Sequence, residues 1–309
     1  MKIIKIKEND VNIRIDKFIR KIYPNFSLGY IYKLFRTNKI KINDKKIKIN
    51  YLLQLNDVIS IYLDENSLNS IPTTPASFLS AKSAIDVVYE DENLIVVNKP
   101  KKLLVYDEKD EKFDTLINRV KKYLFNQKKW NPDLENQFEP SLLHRLDFNT
   151  SGLVMIAKNN KTLVSLNNQI KSRNIDKYYL CYVHGKLNKN QDTLNAFWKK
   201  DNDKNIVSII GSFKTGYEPI ITKYRVLSYD AKNDISKLEV LLVTGKTHQI
   251  RAHMAFIGHP ILGEVKYTNQ SVNKSFDFDS QQLVAYKIVF NIKNDEFLEY
   301  LNSKEISLK

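Results

Sequence analysis

Residues 144–153 carry the side chains best suited to chemistry. They read His-Arg-Leu-Asp-Phe-Asn-Thr-Ser-Gly-Leu, follow a polar loop at 128–140, and lead into a predicted apolar strand at 153–157. The carboxylate of Asp147 therefore stands between a basic pair, His144 and Arg145, and a Thr-Ser-Gly turn. Such a loop-to-strand junction can hold a catalytic group on a rigid scaffold. An aspartate that only caps its own turn is the alternative.

The sequence contains no motif typical of a metal site or of a glycine-rich phosphate-binding loop. His248 and His253 are five residues apart, about 140° around a helix, so they cannot share a metal as an i, i+4 pair would. No carboxylate cluster lies beside them in the sequence. The chain has only 8 glycines, and no spaced pair of them opens a predicted helix. We expect no metal and no cofactor.

Residues 1–64 predict a small α+β module. Ile15, Phe18, Ile19 and Ile22 lie on one face of a helix that Pro24 ends, and a second helix follows a Ser27 cap. Residues 39–42 and 46–49 alternate lysine with isoleucine around Asn-Asp and predict a β-hairpin. The second helix and the hairpin present basic side chains that we expect to bind RNA phosphates, although a solvated face is the alternative: Lys33, Arg36, Lys39, Lys41 and Lys46.

Residues 65–84 are rich in Ser, Asn and Thr, include two prolines, and predict a linker. Residues 85–309 predict a second domain whose strands alternate irregularly with few helices and are often joined by turns. We expect strands at 87–89, 94–97, 153–157, 178–183 and 238–243, and helices near 116–124, 163–170 and 247–257. This pattern favours an α+β fold with a mixed, mostly antiparallel sheet.

The charge predicts a polyanionic partner. The formal net charge is +14, and residues 1–64 alone contain 14 Lys and Arg against 6 Asp and Glu. RNA, DNA and an anionic membrane are the candidates. No apolar run approaches the roughly 18–20 residues that span a bilayer, and no helix pairs a basic face with a wide apolar one. Cys181 is the sole cysteine, which excludes an internal disulfide and fits a reducing cytoplasm. We expect a cytoplasmic monomer with RNA and no membrane as its partner.

Five motifs in order resemble those of the RluA-type RNA pseudouridine synthases. Residues 144–152 match the active-site signature H-R-L-D-x-x-T-S-G. Asn-Lys-Pro at 98–100 matches the first motif, and Lys-Tyr-Tyr at 177–179 matches a Lys-x-Tyr motif. Residues 244–251, Thr-Gly-Lys-Thr-His-Gln-Ile-Arg, and 258–263, Gly-His-Pro-Ile-Leu-Gly, match the last two. Residues 14–43 look like the alpha-L RNA-binding module that ribosomal protein S-four also contains.

The resemblance implies the fold, the reaction and the roles of residues. It implies a pseudouridine synthase fold in which Asp147 is the catalytic aspartate, Tyr179 packs on the uracil ring, and Arg251 pairs with Asp147. A cation beside a carboxylate favours its ionised form, and that carboxylate can act as nucleophile or as base. We expect further contacts with RNA from residues of the same motifs: Lys99, His144, Arg145, Lys177, His248 and Gln249.

The resemblance predicts isomerisation of uridine in large-subunit (23S) ribosomal RNA. The appended module and residues 28–34 look most like the RluC subgroup, with RluD-like targets as the near alternative. Other ribosomal or transfer RNA uridines stay open, as does a non-catalytic RNA-binding or ribosome-assembly factor on the same scaffold. Attack at C1′, attack on the base, and removal of a C2′ proton are all open as the role of the aspartate.

Overall fold

The computed structural model describes residues 1–63, 77–107, 113–136, 138–201, 203–268, 278 and 280–309. No helix in these ranges is long and apolar enough to cross a membrane.

The N-terminal module packs two helices on a three-stranded sheet. Helices α1 (Ile15–Ile22) and α2 (Leu28–Arg36) bury the predicted faces, and the Ser27 hydroxyl accepts a hydrogen bond from the Tyr30 backbone N–H, which confirms that cap. Strands β1 (Lys2–Lys5), β2 (Ile40–Ile42) and β3 (Val58–Ile61) pair antiparallel in the order β1-β3-β2. The apolar stripes predicted from helical periodicity thus form one core.

The predicted hairpin at 39–49 is reduced to one antiparallel bridge between Ile42 and Lys45, and its second strand is wrong. Asn43 and Asp44 do adopt the positive φ of a tight turn, but residues 46–49 form no strand, and β2 pairs instead with β3. The Asn43 side chain fixes this pairing, because it accepts from the Val58 backbone N–H at 2.9 Å and donates to Asp57 at 2.9 Å. The more apolar β3, with three of four residues buried, takes the centre of the sheet.

The predicted linker lies partly outside the described residues, at 64–76. Its last part is packed, because a 3-10 helix at Ser77–Ser80 places Phe78 against Phe125 and Trp130 in the core of the following domain. The module also contacts that domain through polar groups. Asn9 donates to both oxygens of Glu135 at 3.1 Å, and further contacts join Asn136 with the module and Asn9 with residue 160.

The second domain is built on one large sheet. Its strands in the described ranges are β4 Val87–Glu90, β5 Leu94–Lys99, β6 Ser141–Leu142, β7 Ser151–Ala157, β8 Ile175–His184, β9 Gln191–Asp201, β10 Ile206–Ile210, β11 Glu218–Asp230, β12 Ile235–Leu242, β13 Leu283–Phe290 and β14 Glu305–Ser307. These eleven strands join in the order β10-β9-β11-β12-β8-β13-β7-β5-β4, with β14 added to β13 and β6 to β7. The pairings are antiparallel except that of β7 with β13, so the expected mixed, mostly antiparallel α+β fold is confirmed.

In the part of the chain that the structure describes, three helices cover the sheet: α3 (Leu116–Asn126), α4 (Asn160–Lys171) and α5 (Gln249–Phe256). Strand β7 lies between two apolar cores, because its even-numbered residues join the core beneath α3 and α5 while its odd-numbered ones join the core beneath α4. Burial on both faces explains its unbroken apolar sequence. Helix α5, which was expected near 247–257, begins at Gln249 with His248 as its N-cap.

Candidate active site

A cavity of about 360 Å³ opens between the loop that precedes β7, the strand β8 and the start of α5. It is lined by Asp147, Tyr179 and Arg251. Asp147 and Arg251 are 104 residues apart in the sequence. The structure therefore brings together the three residues that were predicted to do chemistry. A cavity of this size is in the range that proteins use for small ligands.

The loop that carries Asp147 is fixed on both sides. The Asp147 carbonyl accepts a hydrogen bond from the Thr150 backbone N–H at 3.1 Å. Gly152 then enters β7 at a φ of 119°, and a Cβ there would lie 2.1 Å from the Ala285 carbonyl oxygen. Only glycine fits this close approach of β7 to β13. The last residue of the Thr-Ser-Gly turn is thus dictated by the sheet that positions the aspartate.

Arg251 holds one oxygen of the Asp147 carboxylate. Its Nη1 donates to Asp147 Oδ2 at 2.9 Å, while Nε and Nη2 donate to Glu264 at 2.6 and 2.9 Å. Burial disfavours the charge of Arg251, but Glu264 and Asp147 outweigh it and raise the pKa of the guanidinium. Within the described chain, Asp147 Oδ1 has no hydrogen-bond partner, so one carboxylate oxygen is anchored and the other is available for chemistry.

Tyr179 lies on β8 and is 5% exposed. Burial, and then the negative charge of Asp147, raise the pKa of its phenol, which is therefore neutral at physiological pH. Its hydroxyl makes no hydrogen bond with any described residue. A neutral aromatic ring beside a carboxylate suits a planar, uncharged base.

Two histidines line the cavity in neutral form. The ring Nε2 of His144 accepts from the Met155 backbone N–H at 3.2 Å, and burial lowers its pKa to about 3. His248 bonds to the Tyr267 hydroxyl at 2.6 Å, and its Nε2 lies 3.8 Å from Asp147 Oδ2. Burial is also the main cause that lowers the His248 pKa to about 4. Both rings hold elements of the site in place by these contacts.

Two residues predicted to contact RNA are internal, which corrects the prediction. Lys99 is 0% exposed, and its ammonium donates to the carbonyls of Pro100, Leu103 and Phe148 at 2.9–3.1 Å. Gln249 is 2% exposed; its amide donates to Ile221 and Thr222 of β11 and accepts from the Thr244 hydroxyl and the Lys246 backbone N–H. Their side chains are saturated by protein partners, so they position the site without reaching a bound RNA.

The remaining predicted residues are accessible. The guanidinium of Arg145 donates to the Tyr106 hydroxyl at 2.6 Å and stacks over its ring, with 4.9 Å from Cζ to the centroid. Lys177 lines the cavity on β8. The basic residues of the module are exposed or half-buried and form no ion pair with any carboxylate in the described ranges: Lys33, Arg36, Lys39, Lys41 and Lys46.

Glu264 and Tyr267 also belong to the site, although neither was predicted from the sequence. Glu264 is 0% exposed and supports Arg251, while the Tyr267 hydroxyl also accepts from the Val207 backbone N–H at 3.2 Å. Both follow the Gly-His-Pro-Ile-Leu-Gly motif within four residues of its end. The sequence signal that could have identified Glu264 is its position directly after the 258–263 motif. Among all residues that the structure describes, including those of this site, no group of three or more His, Cys, Asp or Glu side chains could hold a metal ion.

The sequence model of a family described as RNA pseudouridylate synthase matches residues 93–256, which is more than half of the chain. The chain belongs to this family. It is therefore an RNA-modifying isomerase by class, and the fold predicted from the five motifs agrees with that membership.

Known relatives cover nearly the whole chain. The uncharacterized RNA pseudouridine synthase MG370 of Mycoplasma genitalium is 33% identical over 289 residues, which are 92% of this chain and 87% of the relative. The ribosomal large subunit pseudouridine synthase C of Rickettsia prowazekii is 32% identical over 277 residues, 85% of this chain and 86% of its own. A solved structure, human RNA pseudouridylate synthase domain containing 1, is 25% identical, with a TM-score of 0.54 over 74% of this chain and 91% of the human one.

Proposed function

We propose that this chain converts specific uridines of large-subunit ribosomal RNA to pseudouridine, with Asp147 as the catalytic carboxylate. The similarity to ribosomal large subunit pseudouridine synthases supports the choice of substrate. The observation that carries the assignment of Asp147 is its asymmetric environment. Arg251 binds Oδ2 at 2.9 Å, while Oδ1 is left for substrate in a cavity that Tyr179 also lines.

The reaction fits one carboxylate and its arginine. The N1–C1′ bond of the nucleotide breaks, the uracil turns, C5 bonds to C1′, C5 loses its proton, and N1 gains one. Atoms and electrons balance without an oxidant or reductant. A carboxylate with one free oxygen can attack carbon or accept a proton, and Arg251 keeps it oriented through either role.

The cavity also requires that the target nucleotide leave its helix. Asp147 has a side-chain exposure of 22% and lies in a cavity too narrow for duplex RNA. An enzyme that acts on a base inside such a pocket must first extrude it from its stack. Tyr179 can then pack against the extruded uracil.

The N-terminal residues 1–64 form, in this proposal, a separate RNA-binding module that adds affinity through its basic side chains. Residues 65–84 connect it to a catalytic domain at 85–309. We also propose that the enzyme acts in the cytoplasm as a monomer of the RluC type.

Purified protein and a transcript of large-subunit ribosomal RNA test the proposal. We expect the wild type to form pseudouridine at defined positions. Asp147→Asn, nearly isosteric, should slow the reaction at least about 100-fold while RNA affinity stays within about tenfold. Asp203→Asn, an exposed aspartate in the β9–β10 turn, is the control and should react like wild type. Turnover by Asp147→Asn at a tenth of the wild-type rate or more would refute the role of Asp147.

A further inference from the structure

The cavity extends beyond Asp147 toward the end of α4 and the start of β8. In that part its lining is formed by Ile170, Arg173, Ile175 and Lys177, with His144 and Gly245 beside them. Lys177 and Tyr179 are two residues apart on β8, so their side chains point to the same face of the strand, roughly 7 Å apart. The far part of the cavity is therefore continuous with the place where Tyr179 would meet the uracil ring.

The cavity lining is strongly cationic. Among its described residues Asp147 is the one carboxylate, whereas five side chains are basic. Three of these are engaged by the protein: Arg251 by Glu264, Lys246 by Glu218, and Arg145 by Tyr106. Arg173 and Lys177 have no side-chain hydrogen bond or ion pair with any described residue. A neutral uracil needs no such cations.

Lys177 is half-buried, and its ammonium has no ion-pair partner among the described residues. A Cβ added to Gly245 would lie 3.8 Å from its Nζ, an ordinary contact distance, so the amino group lies beside this turn. Burial lowers the pKa of Lys177, and no carboxylate offsets this effect. Desolvating a charge without a partner destabilises a fold. We therefore expect the ammonium of Lys177 to pair with an anionic group of a bound ligand.

Arg173 occupies a position at which glycine is usual. Helix α4 ends in a Schellman motif, because the Asn174 N–H bonds to the Gln169 carbonyl at 2.9 Å and the Arg173 N–H to the Ile170 carbonyl at 3.1 Å. The residue in the left-handed position of this motif is Arg173, at a φ of 60°. A Cβ in that conformation is strained relative to glycine. The exposed guanidinium is thus presented at the cavity mouth by a strained residue.

We infer that Arg173 and Lys177 form a phosphate subsite that binds a phosphodiester next to the extruded uridine. This inference rests on the proposed function and adds to it how the nucleotide is held. The uracil lies at the Tyr179 end and the phosphate at the Lys177 end, and the two ends are separated by one strand repeat. A compact ammonium in the cavity and a planar guanidinium at its mouth together match an anionic group that enters from the surface.

The subsite is tested by a double-mutant cycle in which one change is made in the RNA and the other in the protein. A short RNA stem–loop of large-subunit ribosomal RNA carries one uridine in its loop and a neutral methylphosphonate at either of the two phosphates that flank this uridine. RNA affinity is measured by fluorescence anisotropy with wild type, Lys177→Met, Arg173→Gly, and the control Lys171→Met. Lys171 is the exposed last residue of α4 and does not line the cavity.

For wild type and the control we expect one of the two methylphosphonates to weaken binding about tenfold or more, as loss of a charge-assisted contact should. Lys177→Met should bind the unmodified RNA about as weakly, and the same methylphosphonate should then have little further effect. Arg173→Gly should show the same pattern to a smaller degree. Equal methylphosphonate losses in wild type and in Lys177→Met, or no loss in wild type at either position, would overturn the subsite.

Thermal unfolding gives a second readout. A ligand-binding role predicts that Lys177→Met and Arg173→Gly are at least as stable as wild type, because one removes an unpaired charge and the other relieves backbone strain. Clear destabilisation of both variants would instead mark the two residues as structural and contradict the subsite. RNA binding does not require turnover. Absence of pseudouridine formation would therefore count against the proposed function, while the binding measurements would still test the subsite.

Discussion

Glu264 accepts two hydrogen bonds from Arg251, from Nε at 2.6 Å and from Nη2 at 2.9 Å, and both side chains are buried. This bidentate contact fixes the plane of the guanidinium and directs Nη1 toward Asp147. The three residues carry one positive and two negative charges. The carboxylate that is proposed to react is therefore positioned by a cation that a second carboxylate already holds.

We predict that Glu264→Gln lowers kcat about 10- to 100-fold and changes KM little. The amide keeps the shape of the side chain, but its NH2 group faces an arginine donor and its charge is gone, so Arg251 loses its fixed orientation. Single-turnover rates and RNA affinity separate the two effects. The exposed Glu299→Gln serves as control. A kcat within twofold of wild type would show that Arg251 holds Asp147 without help from Glu264.

We predict that acidification destabilises the fold through His144. Burial lowers its folded-state pKa to about 3, below the ordinary 6.5 of the unfolded chain, so the unfolded chain binds more protons between these two values. The free energy of unfolding should therefore fall as the pH drops, by about 2 kcal/mol from pH 7 to pH 5 for this residue. Urea titrations across this range measure it.

His144→Gln is the matched variant, because its side-chain oxygen can still accept from the Met155 N–H without titrating. Its stability should depend less on pH by about the same amount. An identical pH dependence in this variant and in wild type would contradict the assignment of a neutral, buried His144.

We predict that Lys99→Met costs about 3 kcal/mol or more of unfolding free energy and also lowers activity. It leaves the carbonyls of Pro100, Leu103 and Phe148 without their shared donor, and an unsatisfied buried acceptor costs about 1–3 kcal/mol. Phe148 directly follows Asp147, so the catalytic loop should shift. Urea unfolding together with RNA affinity checks this, since affinity should be retained. A stable variant that fails only to bind RNA would restore the contact first predicted for Lys99.

The convergence of Asp147, Tyr179 and Arg251 was predictable because each lies in a motif whose order and spacing are specific. The helices of the module were predictable because their apolar residues recur at helical spacing and Ser27 can cap only a helix start. The direction in which a side chain points, outward to solvent or inward to the core, was not predictable from the sequence. A motif lysine can point outward to a phosphate, as expected of Lys99, or inward to three carbonyls, and the sequence around it is the same.

Pairing partners were also beyond the sequence. The alternation at 46–49 is that of a strand, but β3 competes for β2 with a more apolar sequence and with the Asn43 side chain on its side. Strand β11 was missed although Ile220, Thr222 and Tyr224 alternate as buried residues. Its other residues are mostly polar or charged, so the alternation of apolar residues is too weak in the sequence to predict a strand.

We predict that the basic face of the module contributes phosphate contacts. Replacing Lys33, Arg36, Lys39 and Lys46 with glutamine in the full-length protein should weaken RNA binding and flatten the dependence of log K on log salt. Each lost contact should reduce the slope by about 0.7–0.9. Affinity measured at several salt concentrations gives the slope. The control replaces four exposed lysines of the catalytic domain: Lys186, Lys232, Lys293 and Lys309. Equal slopes for the two variants would mean that the module lysines are only solvated surface.

The central claim is that Asp147 of this chain makes pseudouridine in large-subunit ribosomal RNA. The most direct measurement maps pseudouridines in that RNA from cells that lack the gene and carry either the wild-type or the Asp147→Asn copy at equal protein levels. We expect specific positions to be modified with the wild-type copy and unmodified with Asp147→Asn. Identical pseudouridine maps from the two strains would contradict the account.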